Sequence, residues 1–134
     1  LPAAIAFVDR HPNQRFVLDH IAKPRVEGPP PAEWRHLIGE LARREHVACK
    51  FSGVVTEVPG RRWTAELIQP YFVVALEAFG PRRLMFGSDW PVCLIASDHA
   101  RWLDCVATCA AELSAGECAR LFGDTAAGFY RLSP

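Results

Sequence analysis

A chain of 134 residues suits one domain, and with half of its residues hydrophobic it can bury a core. Fifteen Lys and Arg balance fifteen Asp and Glu, so nothing in the charge recommends nucleic acid or an anionic membrane as a partner. The longest apolar runs, "LPAAIAFV" and "YFVVALEAF", fall far short of a spanning helix, and the first lacks the basic lead of a signal peptide, so a soluble chain without a targeting segment is expected.

The opening "LPAAIAFVDRH" reads as a helix. After the turn "RHPNQ", the apolar run "RFVLDH" (Arg15 to His20) reads as a first strand. In "PPAEWRHLIGELARRE", Trp34, Leu37, Ile38 and Leu41 recur at i, i+3, i+4 and i+7, the spacing of an amphipathic helix, and Pro31 suits its first turn. "HVACKFSG" (His46 to Gly53) is a second strand. In "WTAELIQPYFVVALEAFGP", Pro70 is expected to divide a short lead-in from a firmer helix that Gly80-Pro81 stops. Leu84, Met85 and Phe86 form a third strand within "RLMFGSD". Residues 97–113 and 114–132 read as two more helices, the second opened by a Ser114/Glu117 capping box and broken near Gly123.

Strands separated by helices are what right-handed parallel crossovers require, so the fold class is α/β with a parallel sheet. Five cysteines, Cys49, Cys93, Cys105, Cys109 and Cys118, are an odd number without a Cys-x-x-Cys pair, which points to reduced thiols and a cytoplasmic protein. Cys105 and Cys109 stand four apart on a helix, but no matching pair completes a zinc site.

The polar residues gather at one end of this scheme. Gly87 ends the third apolar run and Pro91 biases Trp90 away from helix, so Asp89 falls just past the strand's carboxyl end, where α/β sheets and barrels place their chemistry. A Ser-Asp pair also suits the cap of a following helix. His20 ends the first strand, and Lys50 and Ser52 end the second. Taken singly, His20 is as readily a core histidine and Lys50 a snorkelling lysine. Together with Asp89 on one rim they mark a pocket. Lys23 and Lys50 are the only lysines among the fifteen basic residues, and both lie in these rim segments.

"FVLDHIAKP", "CKFSG" and "RLMFGSDWPV" resemble, in order and spacing, the last three strand motifs of the lactonase-like branch of the amidohydrolase superfamily, which includes L-fuconolactonase, L-rhamnono-lactonase and pyrone-dicarboxylate lactonase. "LFGDTAAGFYRL" resembles that family's closing helix, with Asp124-Thr125 where Asn-Ala is more usual. The resemblance covers essentially the whole chain. It implies a (β/α)₈ TIM barrel, which needs about 250 residues, of which three βα units are present. The family's opening His-x-His has no counterpart, and residue 1 is Leu. The expectation is therefore that residues 1–134 are the carboxyl-terminal part of a single longer barrel domain, a fragment that is inactive and self-associating when made alone. Such an arc is expected to bare the apolar faces of Val17, Leu18, Phe51 and Leu84.

The resemblance implies a hydrolase that opens a sugar-acid lactone. Asp89 would take a proton from the attacking water and return it to the leaving alkoxide, and His20 would orient the water or the carbonyl. Lys23, Lys50, Ser52 and Trp90 would bind substrate. An ordinary aspartic acid, with a pKa of about 3.9, is a feeble base at neutral pH. Either desolvation or a bound divalent metal such as zinc would answer that, and members of this branch differ in metal use. Asp89 and His20 are the only metal-ligand candidates here. The implied partner is a small molecule, with a homo-oligomer open. The rival readings are a nonoxidative decarboxylase of the same superfamily and a noncatalytic remnant that needs a partner subunit. Arginines placed to hold a carboxylate would argue for the decarboxylase, and the upstream reading frame, by a His-x-His after a first strand, separates an enzyme from the remnant.

Overall fold

The structure, a computed structural model, describes residues 1–132. Helix α1 (Pro2–Asp9) begins at a proline whose fixed φ and missing N–H suit a first turn, and a short turn leads on to strand β1 (Phe16–Leu18). Helix α2 (Ala32–Ala42) buries Trp34, Ile38, Leu41 and Ala42, the one-sided stripe its spacing predicts. Strand β2 (Val47–Phe51) is followed by helix α3 (Ala65–Phe79), and strand β3 (Leu84–Phe86) by helix α4 (His99–Cys109). Helix α5 (Ala115–Ala119), a π-helical turn over Arg120–Asp124 and helix α6 (Thr125–Tyr130) close the described chain.

The three strands form one parallel sheet in the order β1-β2-β3, with Val17 opposite Ala48 and Lys50 opposite Met85. Sequential parallel strands joined through helices are the arrangement expected of three βα units of a (β/α)₈ barrel. The two-residue period of a strand sorts β2 into faces: Val47, Cys49 and Phe51 enter the core beneath the helices, while Ala48 and Lys50 point to the other side. Phe51 stacks on Trp102 with ring centroids 5.7 Å apart and meets Phe72 edge-on at 5.1 Å.

Phe51 and Leu84 are fully buried, which corrects the expectation that an arc bares them. Their register turns them to the helix layer, where burying each stabilises the fold by roughly 1.5–3 kcal/mol. The apolar residues of the opposite face are Val17, Ala48 and Met85, and of these Ala48 and Met85 are buried as well. Helix α6 reaches toward that face, with the Tyr130 ring centroid 6.0 Å from Lys50 Nζ.

Two helices differ from expectation. Helix α3 runs unbroken through Pro70, because Ile68, Tyr71, Phe72, Ala75 and Phe79 bury one face on both sides of it. Burying Ile68, Phe72 and Phe79 alone, at roughly 1.5–3 kcal/mol each, outweighs the ~3 kcal/mol of an interior proline. Around Gly123 the last helix widens into the π-helical turn, with Leu121 still buried, instead of breaking.

Candidate active site

Strand β1 ends at Leu18, and the chain then enters a tight turn in which His20, Ile21, Ala22 and Lys23 all have positive φ, 51°, 46°, 62° and 50°. None is glycine, and left-handed backbone costs roughly 1–2 kcal/mol per residue for L-amino acids. Specific contacts offset that cost. Ile21 is fully buried, and its carbonyl accepts the Trp34 indole N–H at 2.9 Å. The Lys23 backbone N–H donates to the His20 carbonyl at 2.8 Å, and the Lys23 ammonium meets Glu57 at 3.1 Å. His20 thus stands on a braced turn beyond the strand, not at the strand's end.

The turn aims the imidazole across the sheet. His20 Nδ1 lies 2.8 Å from the hydroxyl of Ser52, a buried residue just past β2. On the other side, His20 Nε2 lies 3.3 Å from Asp19 Oδ2 and 3.6 Å from Asp89 Oδ1. Two carboxylates facing Nε2 favour the proton there, so in the neutral ring Nδ1 accepts from the Ser52 hydroxyl. Asp19 Oδ1 is also 3.2 Å from Lys50 Nζ, giving a chain of polar groups from Lys50 through Asp19 and His20 to Asp89. Burial works against the Lys50 ammonium, but the hydrogen bond and charge of Asp19 prevail and hold its pKa above the usual lysine value.

Two glycines make room for this arrangement. Gly53, with φ +64°, lies so close that a Cβ there would sit 2.8 Å from His20 Nδ1 and 3.2 Å from Asp89 Oδ2. A Cβ at Gly87 would sit 2.8 Å from that of Ser52. Asp89 itself has φ 55°, and its Oδ2 is buried without a hydrogen-bond partner. Its side chain caps no helix; α4 is capped by Asp98, whose carboxylate accepts from the Arg101 N–H at 2.8 Å.

Of the residues singled out in the sequence, the structure brings together His20, Lys50, Ser52 and Asp89. Lys23 is half-exposed and engaged by Glu57, and Trp90 is 67% exposed, its backbone N–H on the Ser88 hydroxyl. Sequence reasoning missed Asp19, Gly53 and Gly87. The signal for Asp19 was its place beside His20 in "LDH", and for the glycines their place one residue after Ser52 and two before Asp89.

The donors suit part of a divalent-metal site. His20 Nε2 converges with the Asp89 carboxylate, and Asp89 keeps one oxygen unpartnered; with Nε2 given to a metal the ring proton would move to Nδ1 and donate to the Ser52 hydroxyl, the outer hydrogen bond that ligating histidines usually have. A zinc ion takes four ligands, and no group of three or more His, Cys, Asp or Glu that could hold a metal occurs among the described residues. Nor is any helix among them long and apolar enough to cross a membrane.

Residues 1–132 match the family model described as amidohydrolase. The chain belongs to the amidohydrolase family. It is 44% identical over 148 aligned positions to an L-fucono-1,5-lactonase of Burkholderia multivorans, covering 98% of this chain and 48% of that protein. An L-fucono-1,5-lactonase of Burkholderia ambifaria is 39% identical, over 98% of this chain and 47% of its own length. A crystal structure of an amidohydrolase from Burkholderia multivorans with bound zinc superposes with a TM-score of 0.92 at 44% identity, covering 98% of this chain and 49% of that one. This amidohydrolase chain thus spans about half the length of the curated relatives it matches.

Proposed function

We propose that this chain is the carboxyl-terminal portion of a single barrel domain that hydrolyses a sugar-acid lactone, with Asp89 as its general base. The observation that carries the reading is the convergence of His20 and Asp89 from the loops after β1 and β3, across the end of β2, 3.6 Å apart, with a buried Asp89 oxygen free to accept a proton. The names of the Burkholderia relatives support the lactone as substrate class.

In the reaction the Asp89 carboxylate accepts a proton as the water oxygen bonds to the lactone carbonyl carbon. The ring C–O bond then breaks, and the same proton passes from Asp89 to the departing alkoxide, leaving an open-chain hydroxy acid. His20, held by Ser52, orients the water through Nε2. Lys50, at the end of the inner face of β2, offers an ammonium to substrate oxygens, and Lys23 and Trp90 extend the binding rim. His20 and Asp89 are the residues that would hold a divalent metal, with further ligands from outside the described residues. When bound, such an ion acidifies water and polarises an ester carbonyl.

Asp89→Asn tests the reading, because it preserves shape and removes the base. General-base catalysis commonly contributes 10²–10⁴-fold, so turnover of L-fucono-1,5-lactone by the complete polypeptide should fall at least about a hundredfold with thermal stability retained. Near-normal kcat in the folded variant would remove Asp89 from the mechanism. Residues 1–134 made alone should show no turnover.

A further inference from the structure

Two tryptophans from the helix layer reach the loops that carry the candidate site. Trp34 of α2 donates its indole N–H to the Ile21 carbonyl at 2.9 Å, one residue after His20. Trp102 of α4 donates to the Gly87 carbonyl, also at 2.9 Å, two residues before Asp89. Both are buried, at 7% and 1% exposure, and neither indole hydrogen-bonds to His20 or Asp89 themselves. Each ring is fixed in turn: Trp34 packs on Tyr71 with centroids 5.4 Å apart, and Trp102 stacks on Phe51 at 5.7 Å and Phe86 at 6.4 Å. An indole has one polar group, a donor, and a buried donor requires an acceptor. A ring locked in the core therefore locks the loop carbonyl it serves.

The loops need such locking. His20 and Asp89 both have positive φ, 51° and 55°. Asp and His enter that region more readily than most non-glycine residues, but it stays unfavourable for both, so contacts around the loops must hold it. A return of either backbone to negative φ would swing its side chain away from the other.

We infer that Trp34 and Trp102 are positioning residues that together set the spacing between His20 and Asp89. The inference rests on the proposed catalytic reading of those two residues, and it assigns the indoles a role beyond packing: one holds the loop of each reacting side chain from behind the sheet.

Trp34→Phe and Trp102→Phe in the complete polypeptide remove the N–H and keep an aromatic ring. The readouts are kcat and KM for L-fucono-1,5-lactone, the thermal midpoint, and the ¹⁵N shifts of the His20 ring nitrogens. Misplacement of reacting groups by about 1 Å costs on the order of a hundredfold. Each variant should lose roughly 10- to 100-fold in kcat with KM within about twofold, and the His20 nitrogen shifts should move. Trp63→Phe is the control for the lost N–H, since Trp63 makes the same 2.9 Å bond to the Ala96 carbonyl, seven residues beyond Asp89, and the Phe keeps an aromatic ring edge-on to Trp102, which Trp63 meets at 6.3 Å. It should lower stability alone. Unchanged kcat and His20 shifts in the two test variants would overturn the inference, as would an equal fall in kcat in Trp63→Phe. If the wild-type protein opens no lactone, the functional reading fails by itself, and the His20 shifts still decide whether the indoles position the ring.

Discussion

Gly53→Ala perturbs the candidate site at the point where its tolerance is smallest. The new methyl would lie 2.8 Å from His20 Nδ1 and 2.9 Å from Cγ of the same ring, against an ordinary contact beginning at 3.4 Å. The ring must therefore retreat by 3.4 − 2.8, or about 0.6 Å. It cannot do so and keep both its 2.8 Å bond to Ser52 and its 3.6 Å approach to Asp89. The left-handed backbone at position 53 adds roughly 1–2 kcal/mol, and overpacking a close-fitted site adds typically 1–3 kcal/mol. The expected loss is about 2–5 kcal/mol of stability by urea denaturation, with kcat down on the order of tenfold or more. Gly60→Ala separates the two costs, because Gly60 shares the backbone conformation, φ +67°, with nothing within 4 Å of a Cβ. It should lose only the backbone part and no activity. Equal behaviour of the two variants in stability and kcat would refute the close-contact argument.

Ser52→Ala removes the 2.8 Å partner of His20 Nδ1. A hydrogen bond worth about 0.5–1.5 kcal/mol corresponds to a roughly 2- to 10-fold fall in kcat, measured by steady-state kinetics, and no change would detach Ser52 from the histidine's role. In acid, the fold should weaken as three surface carboxyls titrate. The hydrogen bond from Arg44 holds Asp9 below its usual range, and the Thr64 and Ser114 hydroxyls do the same for Glu66 and Glu117. Depressed folded values mean that this stabilisation is present above the ordinary carboxylate pKa and is lost as pH falls through the lowered ones, so thermal midpoints should drop below about pH 4, and less steeply in Asp9→Asn. The raised Lys50 value has the opposite sign: its contribution is complete below the ordinary lysine pKa and disappears above about pH 10.5.

The strands and most helices were legible because each is written in local periodicity: Leu84-Met85-Phe86 as an apolar run, Trp34, Ile38 and Leu41 as a helical stripe. The rim was legible for the same reason, since Ser52 and Asp89 follow apolar runs that must end in a parallel sheet. What escaped the sequence depends on residues far away in the chain. Pro70 reads locally as a breaker, and only the burial around it keeps α3 continuous. The turn after β1 contains neither glycine nor asparagine, the residues that announce left-handed backbone. Its conformation is imposed by Trp34, 13 residues further on, and by Glu57.

That turn also explains why Asp19 went unrecognised. In a strand continued through His20, neighbouring side chains alternate, so Asp19 and His20 would face opposite sides of the sheet and could not share a site. The left-handed turn cancels the alternation. It brings Asp19 within 3.3 Å of His20 Nε2 while the same carboxylate stays 3.2 Å from Lys50. The charge placed beside His20 is thus a product of backbone handedness. The strain of four positive-φ residues is the physical condition for having Lys50, Asp19, His20 and Asp89 on one rim.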